Sequence, residues 1–492
     1  MTNFLQSVLT HAPHFVGLWK GVLKDDCDLS SIDFGAALSK VKSGALQILL
    51  MGSATKLAAP KAKTVFLEDL PPEEIAKVKE PSGLVNLGNT CYLNSVVQCL
   101  RAVDPLRKGL RDFGGGTSQN ALFVNALKEL YQNLDRTHEA VPPTQFVRLT
   151  KMTFPQFNQL TPQGQPMQQD AEEFYSGVLT VAAEETSGKE KIEKAIPGVT
   201  DDELKGATNL VDALFGMKME ETLTNKEASE EAPVVSHDLH RKLVCNILGG
   251  PQGITVNHLT QGISISLNGE IEKHSDTLGR NAVWSRKQRI ARLPPYMVVQ
   301  FGRFYWKATP DSQDHSGVKC KVMRPVAFSG EFDVYEFCSE EVQKILKASR
   351  NKALKEEEER IQAKLSGGDV AMKVPEEEDE EAALQAALAM SMETSEPPVG
   401  PGLAQNFQGI YELFAVVTHK GRDADGGHYM GWVKAEKQLA STEKIQDTNE
   451  ANEDWFVFDD DEVSPCKTED VLKLKGGGDW HMSYLNYYRA KK

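Results

Sequence analysis

Residues 83–95 (GLVNLGNTCYLNS) constrain the fold of this chain more than any other segment. A turn rich in glycine and asparagine leads into Cys91, and apolar residues follow at helical spacing, which predicts a helix beginning at or near Cys91. The dipole and backbone N–H groups of a helix N-terminus stabilise negative charge. Such a position favours the thiolate, the form of a cysteine that attacks carbonyl carbons.

The composition argues against several classes of protein. The net charge of −15 over 492 residues disfavours a general nucleic-acid binder, and the length is sufficient for more than one domain. We find no signal peptide and no apolar run long enough to cross a bilayer, so we expect no nucleic acid and no membrane among the partners. These features favour a soluble intracellular protein.

The cysteines indicate a reducing compartment. The seven are odd in number, widely scattered and include no C-x-x-C pair, which disfavours a disulfide framework and a four-cysteine zinc site. We expect all of them except Cys91 to be small buried apolar residues.

Changes in composition divide the chain. Residues 54–80 lack periodicity and contain a proline pair, which indicates a linker after residues 1–53. Residues 81–338 are typical of a large mixed domain, helical at first and strand-rich later. Residues 339–403 are charged and interrupted by glycine and proline, which indicates a solvated insertion outside the core, and structured patterning returns over 404–492.

Individual elements are also predicted. Residues 340–365 have a charged helical pattern with little apolar face. Short apolar runs predict strands at 243–248, 263–267, 296–301, 411–418, 428–433 and 455–458.

A base for Cys91 is predicted at His428, which opens an apolar strand after a glycine-rich loop. A third group should orient the imidazole, and carboxylates at 459–461 follow a neighbouring predicted strand. Cysteine hydrolases of unrelated sequence use the order Cys, His, Asp. Each residue type alone is a weak signal, because isolated cysteines and histidines are more often structural and aspartate runs are usually solvated turns.

Several motifs in a fixed order give a stronger signal. They are residues 83–94, 168–174, 293–304, 427–429 and 455–460. Together they resemble the ubiquitin-specific protease family over residues 81–488, apart from the insertion. The resemblance implies an α+β fold, the papain-like cysteine protease hand with a helical thumb, β-rich fingers and a β palm.

The resemblance also implies roles for the matching residues. Cys91 would be the nucleophile, His428 the general base and acid, and Asp459 the orienting carboxylate. Asn86 would donate to the oxyanion, an effect of ~3–4 kcal/mol where a comparable donor was removed from another protease, and Asp460 would assist. The reaction would be hydrolysis of the isopeptide bond after the terminal glycine of ubiquitin, through a thioester.

Five residues match the positions that receive the ubiquitin tail, which carries arginines and ends in two glycines. This tail set comprises Gln168, Asp170, Glu173, Gly427 and Tyr429. The alternative for its two acidic members is a pair that complements a helix dipole.

Two loops and the fingers carry further expectations. Residues 420–427 and 304–319 resemble a pair of loops that cover the active site and move when ubiquitin binds, although ordinary mobile hairpin tips would have the same composition. Many family members hold zinc through two C-x-x-C pairs in the fingers, whereas residues 220–285 contain one cysteine, Cys245, near His237 and His240. We therefore expect no structural metal and no cofactor.

Residues 50–54, 64–69, 418–422 and 476–481 resemble the proteasome-associated branch of the family. Its members dock on the 26S proteasome regulatory particle through an N-terminal ubiquitin-like domain and trim ubiquitin from polyubiquitinated proteins held there, in the cytoplasm and nucleus. Residues 1–53 would hold only part of such a domain, because nineteen residues precede the segment 20–26 where two strands and a helix are needed. The domain is either truncated or its start is misassigned.

Residues 376–396 of the insertion resemble a ubiquitin-interacting motif, with an acidic run before an alanine-rich helix. One face of that helix would bind a second ubiquitin through Leu384, Ala387, Leu388 and Ser391, at positions i, i+3, i+4 and i+7. The alternative is a solvated linker helix.

Two other functions stay open on the sequence. One is a catalytically silent ubiquitin-binding scaffold at the proteasome, and the other is a protease for a different ubiquitin-like modifier.

Overall fold

The computed structural model describes residues 80–204, 206–250, 253–307, 318–365, 399–424, 426–435 and 454–491. The predicted ubiquitin-like segment, nearly all of the linker and the ubiquitin-interacting motif lie outside these residues. None of the helices within the described ranges is long and apolar enough to cross a membrane.

The first half of the described chain forms a helical thumb. Its helices are α1 (Cys91–Arg101), α2 (Asp104–Arg111), α3 (Gln119–Arg136), α4 (Thr144–Thr153), α5 (Ala171–Glu185), α6 (Lys189–Ala195), α7 (Asp201–Leu204) and α8 (Leu210–Phe215). Every residue of α1 is buried. A helix enclosed on all sides in this way is the centre of its layer.

The second half is rich in strands. They are β1 (Met217–Asn225), β2 (Val234–His240), β3 (Leu243–Cys245), β4 (Asn268–Ser275), β5 (Arg280–Arg292), β6 (Tyr296–Phe301), β7 (Phe304–Lys307), β8 (Val318–Lys321), β9 (Glu331–Asp333), β10 (Ile410–Lys420), β11 (His428–Lys434), β12 (Asp454–Asp459), β13 (Glu462–Lys467) and β14 (Met482–Ala490). Three helices lie among them, α9 (Leu259–Leu267), α10 (Glu340–Leu365) and α11 (Thr468–Leu472).

The strands form two main sheets and a hairpin. The fingers are a four-stranded sheet in the order β2-β1-β5-β4. The palm is an eight-stranded sheet in the order β13-β12-β11-β10-β14-β6-β3, with β9 paired to β10. Strands β7 and β8 pair only with each other among the described residues. This α+β arrangement of thumb, fingers and palm confirms the predicted fold class.

The central strands of the palm sheet are buried on both faces, whereas the edge strand β13 is largely exposed. Phe456 and Phe458 of β12 join the core beneath the thumb helices, whereas Trp455 and Val457 join the core on the opposite face. A strand covered on both sides requires a continuous apolar run. The predicted strands at 296–301, 411–418, 428–433 and 455–458 are confirmed for this reason.

The predicted strand at 263–267 is wrong, because these residues are the last turns of α9. Their alternation of isoleucine and serine has the period of a strand. The helix is set from outside the run, where the His258 side chain accepts from the Thr260 N–H and the Gln261 side chain accepts from the His258 N–H. The neighbouring prediction at 243–248 is too long, since β3 ends at Cys245.

The expectation that the whole of 339–403 is solvated is wrong at both ends. The helix predicted over 340–365 is confirmed as α10, but Val342 and Leu346 of its first turns lie in the palm core. Val399 and Leu403 join the same core at the other end of the segment. The two apolar residues at positions i and i+4 of this charged helix were a signal from which the contact could have been predicted.

Arg303, which follows β6, is fully buried and donates hydrogen bonds to four backbone carbonyls. Its acceptors are the carbonyl oxygens of Ser483 at 2.6 Å, Arg324 at 3.2 Å, Lys475 at 3.2 Å and Val322 at 3.3 Å. The guanidinium therefore joins segments from three parts of the palm at one point.

We predict that Arg303→Met lowers the free energy of unfolding by about 3 kcal/mol or more, because the substitution leaves several buried carbonyls without donors. Arg280→Met is the matched control, since Arg280 is exposed and pairs with Glu227, and it should cost about 1 kcal/mol or less. Chemical denaturation followed by tryptophan fluorescence measures both. Equal losses would contradict the role assigned to Arg303.

Candidate active site

Cys91 is the first residue of α1 and has 2% of its surface exposed. The preceding turn contains Gly88 and Asn89 at φ values of 99° and 52°, in the left-handed region. Thr90 does not cap the helix with its side chain, which accepts instead from the Leu87 N–H at 3.0 Å. The thiol thus lies where the dipole of α1 favours negative charge, as predicted.

Gly431 brings the palm to this helix. It lies on β11, and a Cβ built at this position would be 3.1 Å from the carbonyl oxygen of Ser95 in α1. The absence of a side chain therefore permits close packing of strand and helix. As a result, the first residue of β11, His428, reaches the first residue of α1.

His428 interacts with two side chains. Its Nε2 lies 2.5 Å from Oδ1 of Asp459, the last residue of the adjacent strand β12. Its interaction with the Cys91 side chain is the main reason that the pKa of His428 is raised to about 9. Burial opposes the rise and the bond to Asp459 adds to it. The imidazole is therefore held in its charged form beside the sulfur, which can stabilise a thiolate.

Asn86 has a fixed amide orientation. Its Oδ1 accepts from the N–H groups of Gly88 at 2.9 Å and Thr90 at 3.3 Å. Its Nδ2 donates to Oδ2 of Asp460 at 2.8 Å. Because the oxygen is committed to backbone donors, the NH₂ group must point toward Asp460, and its second N–H is available to another acceptor.

Asp460 is held from two sides. It occupies a tight turn with a φ of 53°, and its other carboxylate oxygen accepts from Nδ2 of Asn94 at 2.8 Å. Burial raises the pKa of Asp460, and the hydrogen bonds from Asn86 and Asn94 oppose the rise. Sequence reasoning missed Asn94, because α1 also holds Ser95, Gln98 and Arg101 and its sequence does not single out one polar residue.

The members of the predicted tail set lie close together beside Cys91. Gln168 donates from Nε2 to the Cys91 sulfur at 3.3 Å. Asp170 caps α5 by accepting from the Glu172 N–H at 2.7 Å, and it also accepts from the Tyr484 hydroxyl at 2.7 Å. The dipole-complementing alternative for Asp170 is therefore realised, and it leaves room for a second role.

The remaining members complete this surface. Burial raises the pKa of the Asp170 carboxyl and, with Asp170 adding to it, that of Glu173, which is more exposed. Tyr429 is buried beneath them, and burial raises its pKa far above the ordinary value. Gly427 has a φ of 100°, a conformation that favours glycine.

The two predicted covering loops have their described parts beside this surface. The Phe304 ring of β7 stacks edge-on against Tyr484 at 5.1 Å, and the Lys319 ammonium of β8 lies 5.2 Å from the Phe304 centroid. The charge of Lys319 opposes the rise in the pKa of both Asp170 and Glu173. The hairpin therefore offers a positive charge to the acidic pair.

Potential metal ligands among the described residues gather at the same place. Atoms of His428, Asp459 and Asp460 lie within 4.8 Å of one another. Their hydrogen bonds to each other and to two asparagines account for this cluster without an ion. Cys245 lies in β3 at the edge of the palm sheet and not in the fingers sheet, and burial raises its pKa to about 12, which disfavours the thiolate that zinc requires.

The fold and this geometry define a cysteine hydrolase of the papain-like class. The family model described as "Ubiquitin carboxyl-terminal hydrolase" matches residues 82–488. The chain is 35% identical over 483 residues to "Ubiquitin carboxyl-terminal hydrolase 6" of Arabidopsis thaliana, covering 96% of this chain and 89% of the relative.

Two further relatives agree. "Ubiquitin carboxyl-terminal hydrolase 6" of Schizosaccharomyces pombe is 33% identical, with 96% of this chain and 89% of the relative covered. "Ubiquitin carboxyl-terminal hydrolase 14" of Caenorhabditis elegans is 28% identical, with 91% and 81% covered. The chain belongs to the ubiquitin carboxyl-terminal hydrolase family, and it is a thiol-dependent deubiquitinating hydrolase.

We predict that Asp459→Asn lowers the pKa of His428, because the neutral amide no longer stabilises the imidazolium. The alkaline limb of kcat/KM for a ubiquitin C-terminal amide should then fall at a lower pH than in the wild type, where the pKa of His428 is about 9. Glu462→Gln, which removes a charge from the first residue of the neighbouring strand β13, is the matched control. An unchanged alkaline limb in Asp459→Asn would contradict the assignment.

Proposed function

We propose that Cys91, His428 and Asp459 carry out the hydrolysis. The observation that supports this most directly is the hydrogen bond between His428 and Asp459, together with the interaction with Cys91 that raises the pKa of His428. The thiolate attacks the carbonyl carbon of the terminal glycine of ubiquitin, and His428 gives its proton to the departing lysine amine. Water, deprotonated by the same imidazole, then breaks the thioester and releases ubiquitin.

Asn86 is proposed to donate its second amide N–H to the oxyanion of each tetrahedral intermediate. Its fixed orientation supports this role, because a donor that is already aligned needs no reorganisation during the reaction. Asp460 orients Asn86 and does not itself need to contact the substrate. Its second partner, Asn94, holds it in place from α1.

Asp170 and Glu173 are proposed to bind an arginine of the ubiquitin tail. Burial raises the pKa of both adjacent carboxyls and the charge of Lys319 opposes the rise, so a guanidinium bonded to them would further stabilise their charged forms. Gln168, Gly427 and Tyr429 are proposed to line a narrow path from there to Cys91. The two terminal glycines of the tail suit such a path because they carry no side chains.

These roles predict opposite kinetic signatures. Asn86→Ala should lower kcat about 100-fold or more with KM little changed, because the lost donor acts in the transition state. Glu173→Gln should instead raise KM by several-fold with kcat nearly unchanged, because it removes ground-state binding of the tail. Steady-state kinetics on a ubiquitin C-terminal amide separate the two. A large effect of Asn86→Ala on KM alone would count against the oxyanion role.

The loops 420–427 and 304–319 are proposed to cover the cleft and to move when ubiquitin binds. The position of Lys319 near the acidic pair supports this, since its charge occupies the region proposed for the tail arginine. A structure of the ubiquitin complex in which both loops kept their positions would refute it.

The substrates are proposed to be polyubiquitinated proteins held at the 26S proteasome regulatory particle, in the cytoplasm and nucleus. The support is the resemblance of residues 418–422 and 476–481, among others, to the proteasome-associated branch. Docking would use residues 1–53, which are predicted to hold part of a ubiquitin-like domain. Imaging of the tagged full chain tests the location.

One labelling experiment tests this function against its rivals. Full-length protein should react at Cys91 with a ubiquitin bearing a C-terminal electrophile, and purified proteasomes should increase the rate. The Cys91→Ala variant is the control for labelling at this residue. No labelling with or without proteasomes would indicate a silent scaffold, and labelling by another ubiquitin-like modifier alone would indicate a different protease.

A second ubiquitin is proposed to bind the helical motif at 376–396, through the face that holds Leu384, Ala387, Leu388 and Ser391. This segment lies outside the described residues, and its acidic lead-in and apolar spacing support the proposal. Adding ubiquitin should shift the NMR signals of Ala387 and Ser391. Unchanged signals at both positions would reject it.

A further inference from the structure

Lys321, the last residue of β8, is bonded to the end of β10. Its Nζ lies 2.5 Å from Nδ1 of His419 and donates to the carbonyl oxygens of His419 at 3.1 Å and Gly421 at 2.7 Å. The three donors of the ammonium are thus all used by one short segment, which begins the loop leading to His428.

His419 carries this contact across the loop. It is fully buried, and its Nε2 lies 2.9 Å from the carbonyl oxygen of Gly426. Since Nδ1 accepts from Lys321, the proton of the neutral imidazole must be on Nε2, which donates to Gly426. The ring therefore joins the ammonium on one side of the loop to the backbone on the other.

The second limb of the loop leads to His428, the proposed general base. A Cβ at Gly427 would lie 2.7 Å from Cε1 of His419, so the ring packs directly against this backbone. A Cβ at Gly421 would lie 3.2 Å from the Gly427 Cα, so the two limbs of the loop are in contact. His428 is the next residue.

We propose that Lys321 and His419 are positioning residues for the reaction, which fix the loop 420–427 so that Gly427 meets the ubiquitin tail and His428 meets Cys91. The inference rests on the proposed function of Gly427 and His428. It adds the requirement that the β7–β8 hairpin, through Lys321, support the loop that leads to the catalytic histidine. Neither Lys321 nor His419 touches the substrate.

The surrounding charges are consistent with this arrangement. Burial lowers the pKa of His419 to about 3, with Lys321 adding to it, so the ring stays neutral and can accept from the ammonium. Burial, and then the charge of Arg303, lowers the pKa of Lys321 to about 7. A buried ammonium among other cations is costly, and an apolar side chain would avoid that cost. A lysine at this position differs from an apolar side chain in that it donates hydrogen bonds to the loop.

The test compares Lys321→Met, His419→Phe and His419→Gln with the wild type. Lys321→Met and His419→Phe should each lower kcat for a ubiquitin C-terminal amide about tenfold, with KM changing by less than about threefold. His419→Gln should retain most of kcat, because its amide can accept from Lys321 and donate to Gly426. Lys434→Met, which removes the 3.1 Å bond to Glu412 from the same sheet, is the control and should leave kcat unchanged.

A second measurement does not depend on ubiquitin. Alkylation of Cys91 by iodoacetate, followed by peptide mass spectrometry, should be about tenfold slower in Lys321→Met and His419→Phe than in His419→Gln and the control. Thermal unfolding confirms that each variant is folded, and if Lys321→Met is not, the two His419 variants decide.

The outcomes separate the two proposals. The inference is overturned when the wild type is active and the kcat values of Lys321→Met and His419→Phe stay within about twofold of it. It is also overturned when His419→Gln is as slow as His419→Phe, since ring packing alone would then explain the effect. A wild type that does not turn over ubiquitin rejects the proposed function, and the alkylation rates still decide the inference.

Discussion

The contact between α1 and β11 is the constraint on which the rest of the molecule depends. The helix is buried along its whole length, and Gly431 allows the strand to pack against the Ser95 carbonyl. Cys91 and His428 are each the first residue of their element, so this close approach brings thiol and imidazole together. A Cβ at position 431 would press on the Ser95 carbonyl, so that the strand or the helix would have to shift by a few tenths of an ångström.

Polar contacts hold in place the groups that this packing brings close together. On one side, Asp460 orients the amide of Asn86 and is itself held by Asn94. On the other side, Lys321 and His419 hold the loop before the catalytic histidine. Polar networks of this kind make a site rigid, and removal of one member leaves its partner without a hydrogen bond.

The sequence predicted most reliably the elements whose patterns follow from burial alone. Strands β6, β10, β11 and β12 are covered on both faces, so each requires an uninterrupted apolar run that is visible in the sequence. The prediction at 263–267 failed because residues before the run start a helix there. Likewise, the charged composition of 339–403 concealed the apolar contacts at its two ends.

By itself the sequence determined the helix that begins at Cys91, the strand that begins at His428, and the order of motifs that marks the family. Only the tertiary structure decided which distant groups hold them. Asn94 meets Asp460 across 366 residues, and Lys321 meets His419 across 98. A hydrogen bond acts over about 3 Å, so a partner is selected by the position that packing gives it, and local sequence patterns carry no record of that position.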